Sequence, residues 1–109
     1  MGMRRNIALD YGQERKIYLY THWGAEHLED VLKDALIRGR SRWDDPSYLA
    51  RIIFSEMIQD EVLDILGYGI APYAIDDVGA EFPTIEVDFG KRTVDGVPFD
   101  EFVSLNSPQ

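Results

Sequence analysis

Apolar and polar residues alternate with a period of two near the start of the chain. The apolar positions of this alternation are Ile7, Leu9, Ile17 and Leu19. A turn-like stretch from Asp10 to Arg15 separates the two runs, so residues 5–22 are predicted to form a β-hairpin. Successive side chains of a strand point to opposite faces, and Ile17 and Leu19 therefore share the core face. The opposite face carries Tyr18, Tyr20 and His22.

After Gly24 the apolar spacing changes to that of an amphipathic helix. The residues with this spacing are Leu28, Val31, Leu32, Ala35 and Leu36. They predict a helix over residues 25–38. The acidic residue Asp45 followed by Pro46 is a helix-start signal and predicts a second helix over residues 46–58. Asp60 is a suitable cap for a short third helix over residues 60–66, which Gly67 would end.

The remaining chain predicts a loop and a second hairpin. Residues 67–73 contain two glycines and a proline and are interpreted as a loop. Apolar alternation around Val87, with a tight turn at Gly90, predicts a C-terminal hairpin over residues 84–95, followed by a short helical end. The order of elements predicts an α+β fold in a single domain over residues 1–109. Its core would be an antiparallel sheet of two hairpins with two to three helices packed on one face. Residues predicted to be largely buried are Leu32, Leu36, Leu49, Ile52, Ile53, Val87 and Phe89.

Composition narrows the possible environments and partners. The 109 residues include no cysteine, which excludes disulfides and thiolate chemistry and is typical of a reducing compartment. No signal-peptide core and no apolar run of about 20 residues is found, so a cytoplasmic protein without a membrane span is expected. The formal net charge of -9 disfavours direct binding to nucleic acid or to an anionic membrane.

Sequence motifs for catalysis are not found. The glycines lack the spacing of a phosphate-binding loop, and the serines lie in no nucleophile elbow. A metal site formed by His22, Glu26 and His27 is conceivable, but this spacing matches no known zinc motif. We therefore expect a non-enzymatic protein with no catalytic residues, no cofactor and no metal.

The rare residues of the chain are concentrated between positions 22 and 51. Both tryptophans, both histidines and four arginines lie in this segment, although the chain as a whole is strongly acidic. Planar rings and guanidinium groups together are typical of a surface that binds anions or a protein partner. The candidate ligand-binding residues are Tyr20, His22, Trp23, Arg38, Arg40, Arg42, Trp43, Tyr48 and Arg51. Two structural interpretations stay open: Trp23 fills the end of the core, and Arg42 and Arg51 form internal salt bridges.

Two motifs in this part of the chain resemble a known group of proteins. The stretches Tyr-Leu-Tyr-Thr-His-Trp-Gly (residues 18–24) and Arg-Trp-Asp-Asp-Pro-Ser-Tyr (residues 42–48) resemble short, uncharacterised proteins of bacteriophages and their actinobacterial hosts. The resemblance covers roughly residues 5–66. It implies a small accessory protein that acts in the bacterial cytoplasm, and it carries no catalytic residues.

The resulting functional hypothesis is a phage-type accessory protein that binds an anionic ligand or a host protein. A nucleotide is the small molecule that fits best, since a tryptophan would stack on its base while arginines pair with its phosphates. The alternative is an acidic inhibitor that mimics nucleic acid and occupies a host nucleic-acid-binding protein. The residues of that mimic would be Asp34, Glu56, Asp60, Glu61 and Asp64. A homodimer that pairs the Tyr18 and Tyr20 faces is also expected.

Overall fold

A computed structural model describes residues 4–74 and 82–104 as an α+β fold with a six-stranded sheet and three α-helices. The strands are β1 (Arg5–Gly12), β2 (Arg15–Thr21), β3 (Tyr68–Ala71), β4 (Ile85–Asp88), β5 (Thr93–Val94) and β6 (Val97–Pro98). The helices are α1 (Leu28–Arg38), α2 (Pro46–Ile58) and α3 (Phe99–Ser104). Short 3-10 turns lie at Ala25–His27, Arg40–Arg42 and Gln59–Glu61.

The predicted N-terminal hairpin is confirmed. Strands β1 and β2 pair in antiparallel fashion, with Ile7 opposite Leu19 and Leu9 opposite Ile17. Gln13 and Glu14 form the turn with φ of 55° and 62°. Positive φ at both central residues is typical of two-residue hairpin turns, because the twist of such a turn matches that of the two strands it joins.

The sheet is mostly antiparallel, as predicted, but one of its strand pairs is parallel. Its strand order is β3-β2-β1-β4-β5-β6, and β1 pairs with β4 in parallel, placing Ile7 beside Ile85. The C-terminal hairpin forms between β4 and β5, so it joins the first hairpin through this parallel pair. A parallel partner is reached only by a long connection, and no local pattern in either hairpin specifies it.

The segment between α2 and β4 also differs from its prediction. Residues 68–71, expected to be a loop, form β3 and pair with β2 along the sheet edge. The helix expected over residues 60–66 is limited to the 3-10 turn Gln59–Glu61, and the residues after it are non-helical and exposed. A short helix depends on packing an apolar face, and the apolar side chains of this segment have no such contact.

The core lies between one face of the sheet and the helices. Side chains of β1, β2 and β4 on this face pack with α1, α2 and the start of α3 in one cluster that includes Leu9, Leu32, Leu49, Ile53 and Phe99. The predicted core residues are buried, except that Ile52 is only partly buried. Within the described ranges, no helix has both the length and the apolar character needed to cross a bilayer.

Candidate functional site

The structure divides the predicted binding segment between two surfaces. Trp23 precedes α1 and Trp43 follows it, and the eleven residues of that helix span about 16 Å. Trp23 contacts Tyr68 on β3, whereas Trp43 contacts Phe99 at the start of α3. Strand β3 forms one edge of the sheet, and α3 follows β6, which forms the other. The structure therefore does not bring the two tryptophans together in one site.

The first surface is built by the end of β2 and by β3. The Tyr20 hydroxyl lies 3.1 Å from Nδ1 of His22, and the His22 ring meets the Trp23 ring edge-on. Trp23 Nε1 donates a hydrogen bond of 3.1 Å to the Tyr68 hydroxyl, which itself donates to the Glu61 carboxylate. These contacts hold Trp23 at the sheet edge, but the residue is 40% exposed and lies outside the core cluster, so it does not fill the end of the core.

The Tyr68 hydroxyl is the central group of this hydrogen-bonded chain. Its partial burial and its hydrogen bond to Glu61 raise the pKa of Tyr68 above 10.0, while donation from Trp23 opposes this shift. Sequence reasoning did not identify Tyr68 or Glu61 as neighbours of Trp23. The two aromatic residues are 45 positions apart, and only the pairing of β3 with β2 makes them adjacent.

The second surface lies at the connection between α1 and α2. Asp45 caps α2 by accepting a hydrogen bond from the backbone N–H of Tyr48, and Pro46 occupies the first helical turn. Trp43 Nε1 donates to the carbonyl of Leu36 at 2.9 Å, and the Trp43 ring meets Phe99 edge-on at 5.2 Å. The connection is therefore fixed to the core by Trp43.

Two arginines of this connection stack on aromatic rings. The guanidinium of Arg40 lies 4.8 Å from the centre of the Trp43 ring, and that of Arg42 lies 4.7 Å from the centre of the Tyr48 ring. We call Arg40, Arg42, Trp43 and Tyr48 the connector surface. A stacked guanidinium keeps its N–H edges directed outward in the plane of the group, where they can pair with carboxylate or phosphate oxygens.

The internal ion pairs of these two arginines are long and exposed. Arg40 lies 4.0 Å from Asp100, and Arg42 lies 3.8 Å from Asp45. About half of each arginine side chain is accessible, at 56% for Arg40 and 50% for Arg42. Exposed pairs of this kind contribute about 0–1 kcal/mol, so an anionic partner can replace them at little cost.

The other two candidate arginines have different surroundings. Arg38 Nε donates to the buried carboxylate of Glu56 at 2.9 Å and so joins α1 to α2. Arg51 donates to Ser55 one turn later on its own helix, rather than to Asp44 or Asp45. Because Glu56 is buried and also accepts from Gln59, it does not contribute to the exposed acidic surface proposed for a nucleic-acid mimic.

The two histidines are not arranged to bind one metal ion together. Nε2 of His27 lies 3.7 Å from Glu26, while His22 interacts with Tyr20 and Trp23. Over residues 4–74 and 82–104, no three His, Asp or Glu side chains are grouped as metal ligands.

Comparison of the chain with protein-family models, with curated proteins and with solved structures finds no match.

Proposed function

We propose that the protein is a non-catalytic binding protein whose connector surface contacts an acidic protein partner. The observation that carries this proposal is the stacking of Arg40 and Arg42 on Trp43 and Tyr48. Stacking orders the two cations before binding, so less side-chain entropy is lost when they pair with carboxylates. The same two arginines have only long, exposed ion pairs within the chain.

The openness of the connector surface favours a protein partner over a nucleotide. A small ligand generally requires a concave site that buries most of its surface. Arg40, Arg42 and Tyr48 are all about half exposed or more. Arg40 also covers a face of the Trp43 ring, and the edge-on contact with Phe99 further limits the space for a stacked base.

The biological setting of the proposal comes from the two motifs in residues 18–24 and 42–48. Their resemblance to short proteins of phages and actinobacteria supports an accessory protein that acts on a host factor in the bacterial cytoplasm. The absence of catalytic motifs from the sequence supports binding as the activity.

The proposal is tested with the double variant Arg40→Gln/Arg42→Gln. Poly-L-glutamate serves as the carboxylate probe and ATP as the nucleotide probe, each titrated calorimetrically into the purified full chain. The unchanged protein should bind poly-L-glutamate more tightly than ATP, and the double variant should bind it at least tenfold more weakly. Each lost charge-assisted hydrogen bond is worth about 1.5–3 kcal/mol.

The matched control is Arg15→Gln/Lys91→Gln, which removes the same charge from two exposed positions, one at the start of β2 and one in the turn after β4. This control should bind poly-L-glutamate within about twofold of the unchanged protein. An equal loss of binding in both double variants would show that net charge alone attracts the probe. Tighter binding of ATP, lost in the Arg40→Gln/Arg42→Gln variant, would instead identify a nucleotide site and contradict the protein-partner proposal.

A further inference from the structure

Most of the large exposed apolar side chains of the described chain lie in the short segment from the end of α2 to β3. Leu63 is 89% exposed and Ile65 is 93% exposed, and three neighbouring apolar residues are each more than half exposed. We call this set the apolar edge. It consists of Val62, Leu63, Ile65, Leu66 and Ile70.

The area of the apolar edge is large for a small protein. From the exposed fractions, its five residues present roughly 600 Å² of surface, which is the upper end of what a monomer normally shows. Roughly 600 Å² per partner is also what the smaller stable protein interfaces bury. An uncovered surface of this size is an energetic cost in water that a matching apolar surface removes.

The apolar edge leads directly into the terminal strand of the sheet. Strand β3 pairs with β2 along one side, and no other strand of the described residues pairs with its second side. Ile70 lies opposite Leu19, so its side chain is on the helix-bearing face of the sheet. The opposite face of β3, which points away from the helices, carries only Gly69 and Ala71. No bulky side chain of β3 therefore lies on that face.

We propose that a second copy of this chain covers the apolar edge, through antiparallel pairing of the two β3 strands about a two-fold axis. Such a contact is self-complementary, because the same strand and the same apolar residues meet from both sides. The backbone N–H and C=O groups at the outer side of β3 gain partners, and the apolar side chains are removed from water. The contact continues the sheet from one copy into the other.

The charges beside the apolar edge give this dimer a characteristic dependence on salt. Asp60 and Asp64 are exposed next to the apolar residues, and a two-fold contact brings the acidic residues of both copies near one another. Added salt screens this like-charge repulsion and so strengthens the dimer. Binding of a basic partner at the same edge would weaken with salt instead.

The test begins with the mass of the purified full chain by sedimentation equilibrium, from about 1 μM to about 1 mM. The expected result is a transition from the 12.5 kDa monomer to twice that mass. The variant Leu63→Ser/Ile65→Ser should weaken the dimer at least tenfold. Its two sites are almost fully exposed, so the circular dichroism spectrum should be unchanged. The matched control is Ile37→Ser, an exposed apolar residue on α1, and it should leave the dimer intact.

Two results of these mass measurements would overturn the proposal. One is a monomer over the whole concentration range. The other is a dimer that Leu63→Ser/Ile65→Ser leaves intact. If Tyr18→Thr then dissociates it, the contact involves the opposite tyrosine face of the sheet. A salt titration of the unchanged protein from about 0.05 M to about 0.5 M NaCl gives an independent readout. The dimer should tighten, and dissociation at high salt would also contradict the proposal.

Discussion

The indole ring of Trp23 lies directly against the backbone of Gly67. A Cβ added at Gly67 would be 2.6 Å from Cζ2 of Trp23, which is closer than atoms of this kind approach each other. The backbone N–H of His22 also donates to the Gly67 carbonyl at 2.8 Å. The end of β2 and the start of β3 are therefore joined by a ring contact and a backbone hydrogen bond at one residue.

We predict that Gly67→Ala lowers the free energy of unfolding by about 2–4 kcal/mol. The Cβ would meet the Trp23 ring, and the φ of +102° is unfavourable for a residue with a side chain. Urea denaturation measures the loss. The matched control is Gly12→Ala, where φ is +87° and no atom lies within 4 Å of the added Cβ. This control should cost only about 1–2 kcal/mol, and equal losses at the two glycines would show that the Trp23 ring moves aside freely.

Truncation of Ile53 on α2 should be among the more costly core changes. Ile53 is fully buried and belongs to the cluster between α2 and the sheet. We predict that Ile53→Ala lowers the free energy of unfolding by about 2–5 kcal/mol, because it removes packed methyl groups and leaves a cavity. The same change at Ile37, which is 48% exposed on α1, should cost less than about 1 kcal/mol. A small loss at Ile53 would contradict the assignment of the buried face of α2.

The buried guanidinium of Arg5 links β1 to the start of α1 and to Pro83. It forms two hydrogen bonds to the Glu29 carboxylate, at 2.9 and 2.8 Å, and donates to the carbonyls of Ala25 and Pro83. We predict that Arg5→Met lowers the free energy of unfolding by about 2–4 kcal/mol, because the buried carbonyl of Ala25 and the half-exposed carboxylate of Glu29 lose their donor.

The comparison for Arg5 is Arg15→Met at the exposed tip of the first hairpin. Arg15 lies at an exposed position at the start of β2, so its loss should change stability by no more than about 0.5 kcal/mol. Chemical denaturation measures the loss of unfolding free energy in both variants. Similar small effects at the two positions would mean that water replaces the Arg5 hydrogen bonds without penalty.

The raised pKa of Tyr68 predicts a loss of stability in alkaline solution. The phenol ionises at a higher pH in the folded chain than its ordinary value of 10.0 in the unfolded chain. Its contribution is therefore complete below about pH 10 and declines as the pH rises through the folded pKa. We predict that the stability difference between the unchanged protein and Tyr68→Phe narrows between about pH 9 and about pH 11. Urea titrations of both proteins at the two pH values measure the difference in unfolding free energy. A difference that stays constant would contradict the raised pKa of Tyr68.

Local patterns in the sequence were sufficient to predict the first hairpin and the two long helices. Period-two alternation identified β1 and β2, and the Asp45–Pro46 signal marked the start of α2. These features depend on interactions within a few residues: alternating faces, a turn and a cap. For the candidate site, the sequence identified the aromatic and arginine residues but not their arrangement. Arg40 does contact Trp43, three positions away, whereas its ion-pair partner Asp100 lies 60 positions away.

The tertiary structure alone decided which distant segments became neighbours. The parallel pairing of β1 with β4 and the addition of β3 to β2 join segments separated by more than 45 residues. Gly67 and Gly69 indicated a loop, yet the free edge of β2 provided hydrogen-bond partners that outweighed that local preference. The same pairing placed Trp23 at one edge of the sheet. Trp43 follows the C-terminal end of α1 and lies against Phe99 of α3. A single stretch of sequence therefore formed two surfaces, because a helix of eleven residues separates its ends by more than any side chain can reach.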